Sequence, residues 1–62
     1  MKKNEIFKND NGKQYLILAE KQDQLLLAEI NGYDFVIAKY PQKTSWGSGE
    51  YYFDIKDAVE NF

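Results

Sequence analysis

The residue types that perform most enzyme chemistry are scarce in this chain. Cysteine and histidine are both absent, which removes thiolate nucleophiles, sulfur-bound zinc and the commonest proton carrier near neutral pH. Ser45 and Ser48 would need a neighbouring base, and Lys43 could act as one only if it were desolvated in a polar loop that is expected to be exposed. The sequence therefore predicts a protein that is not an enzyme.

Oxygen ligands for a hard cation are present but poorly arranged. Glu29 and Asp34 are expected to face each other near a turn, with Glu20 as a third candidate ligand, and solvated carboxylates at a sheet end explain them more simply. The segment 9–12 (Asn-Asp-Asn-Gly) lacks the later glutamate of a calcium loop, and the Gly-Ser-Gly segment 47–49 lacks the lysine and helix of a phosphate loop. The sequence predicts no metal and no cofactor.

Charge and hydropathy argue against a nucleic-acid-binding protein and against a membrane or secreted protein. Eight basic and ten acidic residues give the 62-residue chain a net charge of -2, and every basic residue is lysine. Arginine, the usual ligand of phosphates and base edges, is absent, which lowers the expectation of direct nucleic-acid binding. The longest apolar run, Leu25–Ala28, is far shorter than the roughly 20 residues of a membrane helix, and Met1-Lys2-Lys3 does not lead into an apolar signal core. These features predict a cytoplasmic protein with one domain over residues 1–62.

Three polar segments divide the first forty residues into four predicted strands. Residues 9–12 and the Asn31-Gly32 pair contain asparagine and glycine, which favour turns, and residues 21–24 provide a weaker third turn. Residues 50–53 indicate a short fifth strand. We therefore expect a twisted antiparallel meander of four to five strands.

The two faces of this sheet follow from the turns. With Asn31-Gly32 and Gln22-Asp23 as two-residue turns, one predicted core face carries alternate residues of three strands. These are Tyr15, Ile17, Ala19, Leu26, Ala28, Ile30, Tyr33, Phe35 and Ile37. The opposite face is also apolar in its middle, so it must be covered by curling of the sheet, by the loop that carries Trp46, or by another protein.

The last residues predict a short helix. Asp54 is a suitable N-cap, and Ile55, Ala58, Val59 and Phe62 have the spacing of one apolar stripe that is expected to face the sheet. A helix of this length needs packing to form. The predicted fold class is α+β, with the C-terminal helix packed on one face of the antiparallel sheet.

The candidate binding residues are aromatic and acidic. Trp46 lies among polar residues and glycines, where it serves either as a lid over the sheet or as an anchor for a partner, since tryptophan and tyrosine dominate interface hot spots. A partner-binding surface is predicted from two groups of residues. They are the aromatic residues Trp46, Tyr40, Tyr51 and Tyr52, and the acidic residues Glu20, Glu29, Asp34 and Glu50.

Several segments also resemble a known group of proteins. The patterns Asn11-Gly12-x-x-Tyr15, Phe35-Val36-Ile37-Ala38 and Trp46-x-x-Gly49-x-x-Tyr52-Phe53, followed by Ala58 and Phe62, are similar to those of small uncharacterised proteins of Gram-positive bacteria, their phages and their conjugative elements. The resemblance implies a sheet with a terminal helix and a mobile-element setting. In size and in lacking catalytic residues, the chain is also similar to anti-CRISPR proteins.

These features together predict a non-enzymatic binding module that acts sterically on a protein partner. An inhibitor of a host defence protein fits the resemblance, and the partner would then be a nucleic-acid-binding effector that meets the acidic residues. One alternative is a small nucleic-acid-binding accessory protein that uses Lys2, Lys3, Lys8, Lys13 and the Trp46 region. The second is a self-associating structural protein, such as a homodimer, that buries its second apolar face.

Overall fold

The computed structural model describes residues 2–62 and contains five strands and one helix. The strands are β1 (Ile6–Lys8), β2 (Gln14–Lys21), β3 (Gln24–Glu29), β4 (Phe35–Pro41) and β5 (Trp46–Tyr52), and the helix is α1 (Ile55–Asn61). The strands form one antiparallel meander in the order β1-β2-β3-β4-β5. The predicted α+β class, with one short C-terminal helix on the sheet, is confirmed.

The sheet is strongly coiled, although it is not closed. The β1–β2 turn and the β4–β5 turn would lie at diagonally opposite corners of a flat meander. Nevertheless the Asp10 N–H donates a hydrogen bond to the Thr44 carbonyl oxygen, with an N to O distance of 2.8 Å. The right-handed twist of the strands brings these two corners together.

Coiling buries one face of the sheet, which we call the inner cluster. It consists of Phe7, Tyr15, Ile17, Leu25, Leu27, Val36 and Ala38, with the half-buried Trp46 packed against it. All seven buried members expose 3% or less of their surface. The sequence allowed three ways to cover the second apolar face: curling of the sheet, the segment that carries Trp46, or another protein. In the structure, the first two act together.

The helix covers the other face, which we call the helix cluster. Its buried members are Leu26, Ile37 and Ala58, with Leu18, Ala19, Phe35, Tyr52 and Phe62 packed around them. The Asp54 carboxylate accepts a hydrogen bond from the Lys56 N–H at 2.8 Å, as expected of an N-cap. The predicted stripe is only half right, because Ala58 and Phe62 face the sheet whereas Ile55 and Val59 remain exposed.

A β-bulge in β2 overturns the predicted core face. The β2–β3 register shifts between Ile17 and Ala19, so Ile17 lies opposite Leu27 rather than Ala28. One extra residue in a strand reverses the alternation of side chains beyond it. Ile17 therefore points into the inner cluster, while Leu18 and Ala19 both pack on the helix cluster. The predicted grouping of Ile17 with Ala19 was wrong.

The connection between β3 and β4 is also longer than predicted. The register from Ala28↔Phe35 to Leu26↔Ile37 is confirmed. However, a tight two-residue turn of the favoured type needs positive φ at both central residues, and within segment 30–34 only Asn31 has it, with φ 64°. The strands end at Glu29 and begin again at Phe35. Tyr33 therefore does not join the core face and leaves 87% of its surface exposed.

Candidate functional site

The predicted partner-binding residues do not form one continuous surface. Glu20 and Tyr40 lie beside the β2–β3 turn, whereas Glu29 and Asp34 lie at the opposite end of β3, where the Glu29 N–H donates to the Asp34 carbonyl oxygen at 3.0 Å. Glu20 pairs with Leu25, four residues from Glu29, which corresponds to about 13 Å along a strand. A cation cannot be shared by these carboxylates across that distance. Among residues 2–62, no group of three or more acidic side chains is placed to hold a metal.

Trp46 is mainly part of the core. Its ring centroid lies 5.6 Å from that of Phe7 and 5.4 Å from that of Tyr15, the second contact being edge-to-face. Trp46 lies in β5 and contacts Phe7 in β1, so it bridges the last and first strands of the open sheet. This position agrees with the predicted role of a lid over the sheet. Such aromatic pairs add about 0.5–1.5 kcal/mol beyond the area they bury.

The two adjacent tyrosines of β5 have different environments. Tyr52 packs on the helix cluster, and its hydroxyl donates to Glu50 Oε1 at 3.0 Å. Burial, and after it the hydrogen bond to Glu50, raises the pKa of the Tyr52 hydroxyl. Tyr51 points to the other side, at the edge of the inner cluster, and exposes 59% of its surface. Only Tyr51 of this pair is freely available to a partner.

Two of the four predicted acidic residues are already paired with lysines. Lys13 Nζ lies 3.6 Å from Glu29 Oε1, and Lys39 Nζ lies 3.5 Å from Glu50 Oε2. The Lys39–Glu50 pair is exposed and contributes little to stability, whereas the Glu29 side chain of the other pair is only 13% exposed. Both pairs offset the negative charge that a basic partner would meet. The negative potential of the four predicted acidic residues is therefore weaker than the number of their carboxylates indicates.

A shallow polar groove of about 710 Å³ lies beside the β2–β3 turn. Its lining includes Glu20, Asp23, Gln24, Tyr40 and Gln42. The Tyr40 N–H donates to the Asp23 carbonyl oxygen at 2.8 Å, and both residues have positive φ, 56° and 60° respectively. Left-handed backbone is strained for a bulky residue such as tyrosine. The groove offers amide and carboxylate groups for hydrogen bonding, without a nucleophile and base in contact.

The strongest exposed apolar surface lies at the other end of the molecule, and we call it the apolar end. It consists of Tyr33, Phe53, Ile55 and Val59, which expose 87%, 86%, 40% and 56% of their surfaces. The last β4–β5 pair is Phe35↔Tyr52, so residues 33 and 53 leave the sheet at the same end. Ile55 and Val59 are one helical turn apart and share one side of α1.

Sequence reasoning missed the apolar end because it assigned all four of its members to buried positions or to a strand. The length of the helix could nevertheless have predicted that part of its apolar stripe is exposed. A seven-residue helix can bury only a narrow side, and with Ala58 and Phe62 at i and i+4 inside, Ile55 and Val59 lie on the neighbouring ridge. Phe53 stands between a strand and an N-cap, where it has no partner strand to cover it.

Comparisons with known proteins give no match for this chain, neither among protein-family models nor among curated proteins nor among solved structures. Within the part of the chain that the structure describes, no helix is both long enough and apolar enough to cross a bilayer.

Proposed function

We propose that the protein is a non-enzymatic binding module that acts sterically, by covering a surface of a protein partner with its apolar end. The observation that carries the proposal is the exposure of Tyr33 and Phe53, whose rings are almost entirely accessible to water. Large exposed apolar side chains that gather on one part of a small domain are typical of an interaction site. Aromatic side chains of this kind are also the usual anchors of interfaces.

The charges near the apolar end favour a basic partner. Asp54 and Asp57 belong to the same segment as Ile55 and Val59, and Asp34 lies beside the exposed Tyr33. Lys56 is the only basic residue of α1. Opposite charges around an apolar contact accelerate association and select the partner. The expected partner surface is therefore an apolar pocket or ridge that is surrounded by lysine and arginine.

This chemistry fits an inhibitor of a host defence protein. Nucleic-acid-binding effectors carry basic grooves, and the resemblance to small phage and mobile-element proteins favours such a target in the cytoplasm. A typical interface occupies about 800 Å² on each partner, which would be about a fifth of the 4284 Å² surface of this chain. A domain of this size can block a groove without any catalytic step.

Two alternatives receive less support. Direct nucleic-acid binding would use Lys13 and the Trp46 ring, but Lys13 is paired with Glu29, and Trp46 packs against Phe7 and Tyr15 rather than offering a free stacking face. Retention on a heparin column that decreases steeply with salt would favour this alternative. The second alternative was a structural protein that self-associates through an uncovered apolar sheet face. Both faces of the sheet are already covered within residues 2–62, so no such face is left for self-association.

The proposal is tested with a double variant and a matched control. Phe53→Ser/Val59→Ser removes two exposed side chains of the apolar end, whereas Tyr40→Ser removes a similarly exposed aromatic ring from the groove at the other end. The immobilised protein is exposed to host lysate, the bound proteins are quantified by mass spectrometry, and the main partner is then purified for titration. The double variant should weaken binding at least about tenfold, while Tyr40→Ser should bind like the wild type. The reverse pattern would move the site to the groove.

A further inference from the structure

The chain contains two exposed asparagines that are each followed by glycine. Asn11-Gly12 belongs to the connection between β1 and β2, and Asn31-Gly32 belongs to the connection between β3 and β4. In such a pair the main-chain nitrogen of the glycine can attack the side-chain amide carbon of the asparagine and close a five-membered ring, because the two atoms are held close along the chain. Glycine assists, since it has no side chain to restrict the backbone. Both pairs are therefore chemically competent for spontaneous deamidation.

The fold restrains the first of these pairs. The Gly12 N–H donates to the Asn9 carbonyl oxygen at 2.9 Å, so the attacking nitrogen is already engaged. The Asn11 side-chain oxygen accepts a hydrogen bond from the Lys13 N–H at 2.8 Å, and the Asn9 N–H closes the turn on the Lys13 carbonyl oxygen at 2.9 Å. Attack requires the first of these bonds to break, and the other two oppose the rotation that would bring the atoms together.

The second pair lacks these restraints. Within the described chain, no hydrogen bond is donated by the main-chain N–H groups of residues 31–33 or made by the Asn31 side chain. The neighbouring Ile30 N–H does donate to Gln14 at 2.9 Å, so the connection is anchored only at its base. Asn31 itself has left-handed backbone, with φ 64°. A segment with so few hydrogen bonds opens locally at a small cost in free energy.

We propose that Asn31 is a site of spontaneous covalent modification, at which the Gly32 nitrogen attacks the asparagine side chain, whereas Asn11 is preserved by the fold. The Gly32 nitrogen loses its proton to water or hydroxide and bonds to Asn31 Cγ. The bond from Cγ to Nδ2 breaks, and the side-chain nitrogen leaves as ammonia. One water molecule then opens the ring. Opening at Cγ gives aspartate, and opening at the main-chain carbonyl carbon gives isoaspartate.

The modification changes both charge and main chain beside the apolar end. An uncharged amide becomes a carboxylate, so the net charge of -2 becomes one unit more negative. The new carboxylate lies between Glu29 and Asp34 along the chain, and like charges repel. In the isoaspartate product one more carbon enters the main chain shortly before Tyr33, a member of the apolar end. Any effect on a partner rests on the proposed function, but the reaction itself does not.

Peptide mapping of the folded protein tests the reaction. Incubation under mildly alkaline conditions favours it, because the attacking nitrogen must lose a proton. Cleavage after lysine then releases residues 9–13 and 22–39 as separate peptides, so that the two pairs are measured independently. Asn31 should be lost at least about tenfold faster than Asn11, and two products of equal mass, aspartate and isoaspartate, should appear. Similar rates at the two asparagines, or no isoaspartate at Asn31, would overturn the proposal.

The unfolded chain and two matched variants are the controls. In guanidinium chloride the hydrogen bonds around Asn11 are lost, so the two pairs should react at similar rates. A preference for Asn31 that persists there would overturn the protective role of the fold. Asn31→Gln should remove most of the acidic form seen on anion-exchange chromatography, because the longer side chain closes a ring less readily. Asn11→Gln should leave the acidic form unchanged, and its loss in that variant would contradict the assignment.

Partner binding separates the reaction from the proposed function. The purified isoaspartate form should bind the partner about tenfold more weakly than the fresh protein, because Tyr33 is displaced. Asn31→Asp, which adds the charge without the extra carbon, should bind like the wild type. Equal binding by all three would overturn the effect on the apolar end. A partner that binds elsewhere would contradict the proposed function, while the peptide map would still decide the reaction.

Discussion

The indole ring of Trp46 occupies the space where a side chain of Gly49 would begin. An ideal Cβ atom on Gly49 would lie only 2.7 Å from Trp46 Nε1. The ring is held in this position from the other side by Phe7 and Tyr15. The glycine three residues after the tryptophan therefore allows the ring to cross the edge strand and complete the inner cluster.

Replacement of Gly49 by alanine should displace Trp46 and destabilise the protein by about 1–3 kcal/mol, as overpacking in a filled core does. Tryptophan fluorescence should shift to longer wavelength as the ring becomes exposed. Gly47→Ala, in the same strand, is the matched control. There the new Cβ would approach Tyr40 Cβ no closer than 3.4 Å, which is ordinary van der Waals contact, so the cost should stay below about 0.5 kcal/mol. Equal urea midpoints for the two variants would contradict this relationship.

The buried Tyr15 hydroxyl should make the protein sensitive to alkali. Burial raises the pKa of Tyr15 above its ordinary value of 10.0, the contact with Asn11 opposing this by a smaller amount. Because the unfolded chain then loses the proton at lower pH than the folded one, stability is complete below pH 10 and falls as pH rises through the folded pKa.

Urea unfolding of the wild type and Tyr15→Phe from pH 7 to pH 11 tests this effect. The variant should lose less stability than the wild type above about pH 10. Some loss should persist, because the pKa of Tyr52 is also raised, by burial and by Glu50. Parallel curves for the two proteins would show that Tyr15 is not responsible.

The N-cap of α1 should contribute measurably to stability. Asp54→Ala removes the hydrogen bond to the Lys56 N–H and should cost about 1 kcal/mol. Asp57→Ala, which removes a first-turn acid without a cap contact, should cost less, at most about 0.5 kcal/mol. The midpoint of guanidinium unfolding measures both. An equal loss in the two variants would mean that charge near the helix start, and not the cap, is what matters.

Tyr40 should be replaceable with a gain in stability. Its φ of 56° costs a residue other than glycine or asparagine about 1–2 kcal/mol, and its side chain is 62% exposed. Tyr40→Asn should therefore raise the thermal midpoint, whereas Tyr51→Asn, in regular strand geometry, should lower it. If Tyr40→Asn lowers the midpoint, contacts of the ring outweigh the backbone strain.

The architecture was predictable from the sequence because it rests on local signals. Asparagine and glycine mark two of the turns, apolar runs mark the first four strands, and Asp54 marks the helix start. The fifth strand was predicted over residues 50–53, but β5 spans Trp46–Tyr52, because its first half is rich in glycine and serine and carries no apolar run. The arrangement of faces was not predictable, because the bulge at Leu18 leaves no mark in a uniformly apolar strand. One unpaired residue there reversed the side on which Tyr15 and Ile17 lie.

The candidate site was less predictable than the fold. The sequence allowed Trp46 to be either a lid over the sheet or a partner anchor. Coiling of the sheet brings it against Phe7, a contact between residues far apart in sequence. Ile55 and Val59 were expected to be buried because they fall on the predicted apolar stripe of the helix. Their exposure follows from how little of a seven-residue helix can face the sheet.

Binding of a protein partner at the apolar end can be mapped by NMR with the ¹⁵N-labelled protein and its purified partner. The amide signals around Tyr33, Phe53 and Val59 should shift or broaden, with little change at Tyr40 and Gln42. Changes confined to the groove beside the β2–β3 turn, with the apolar end unaffected, would contradict it.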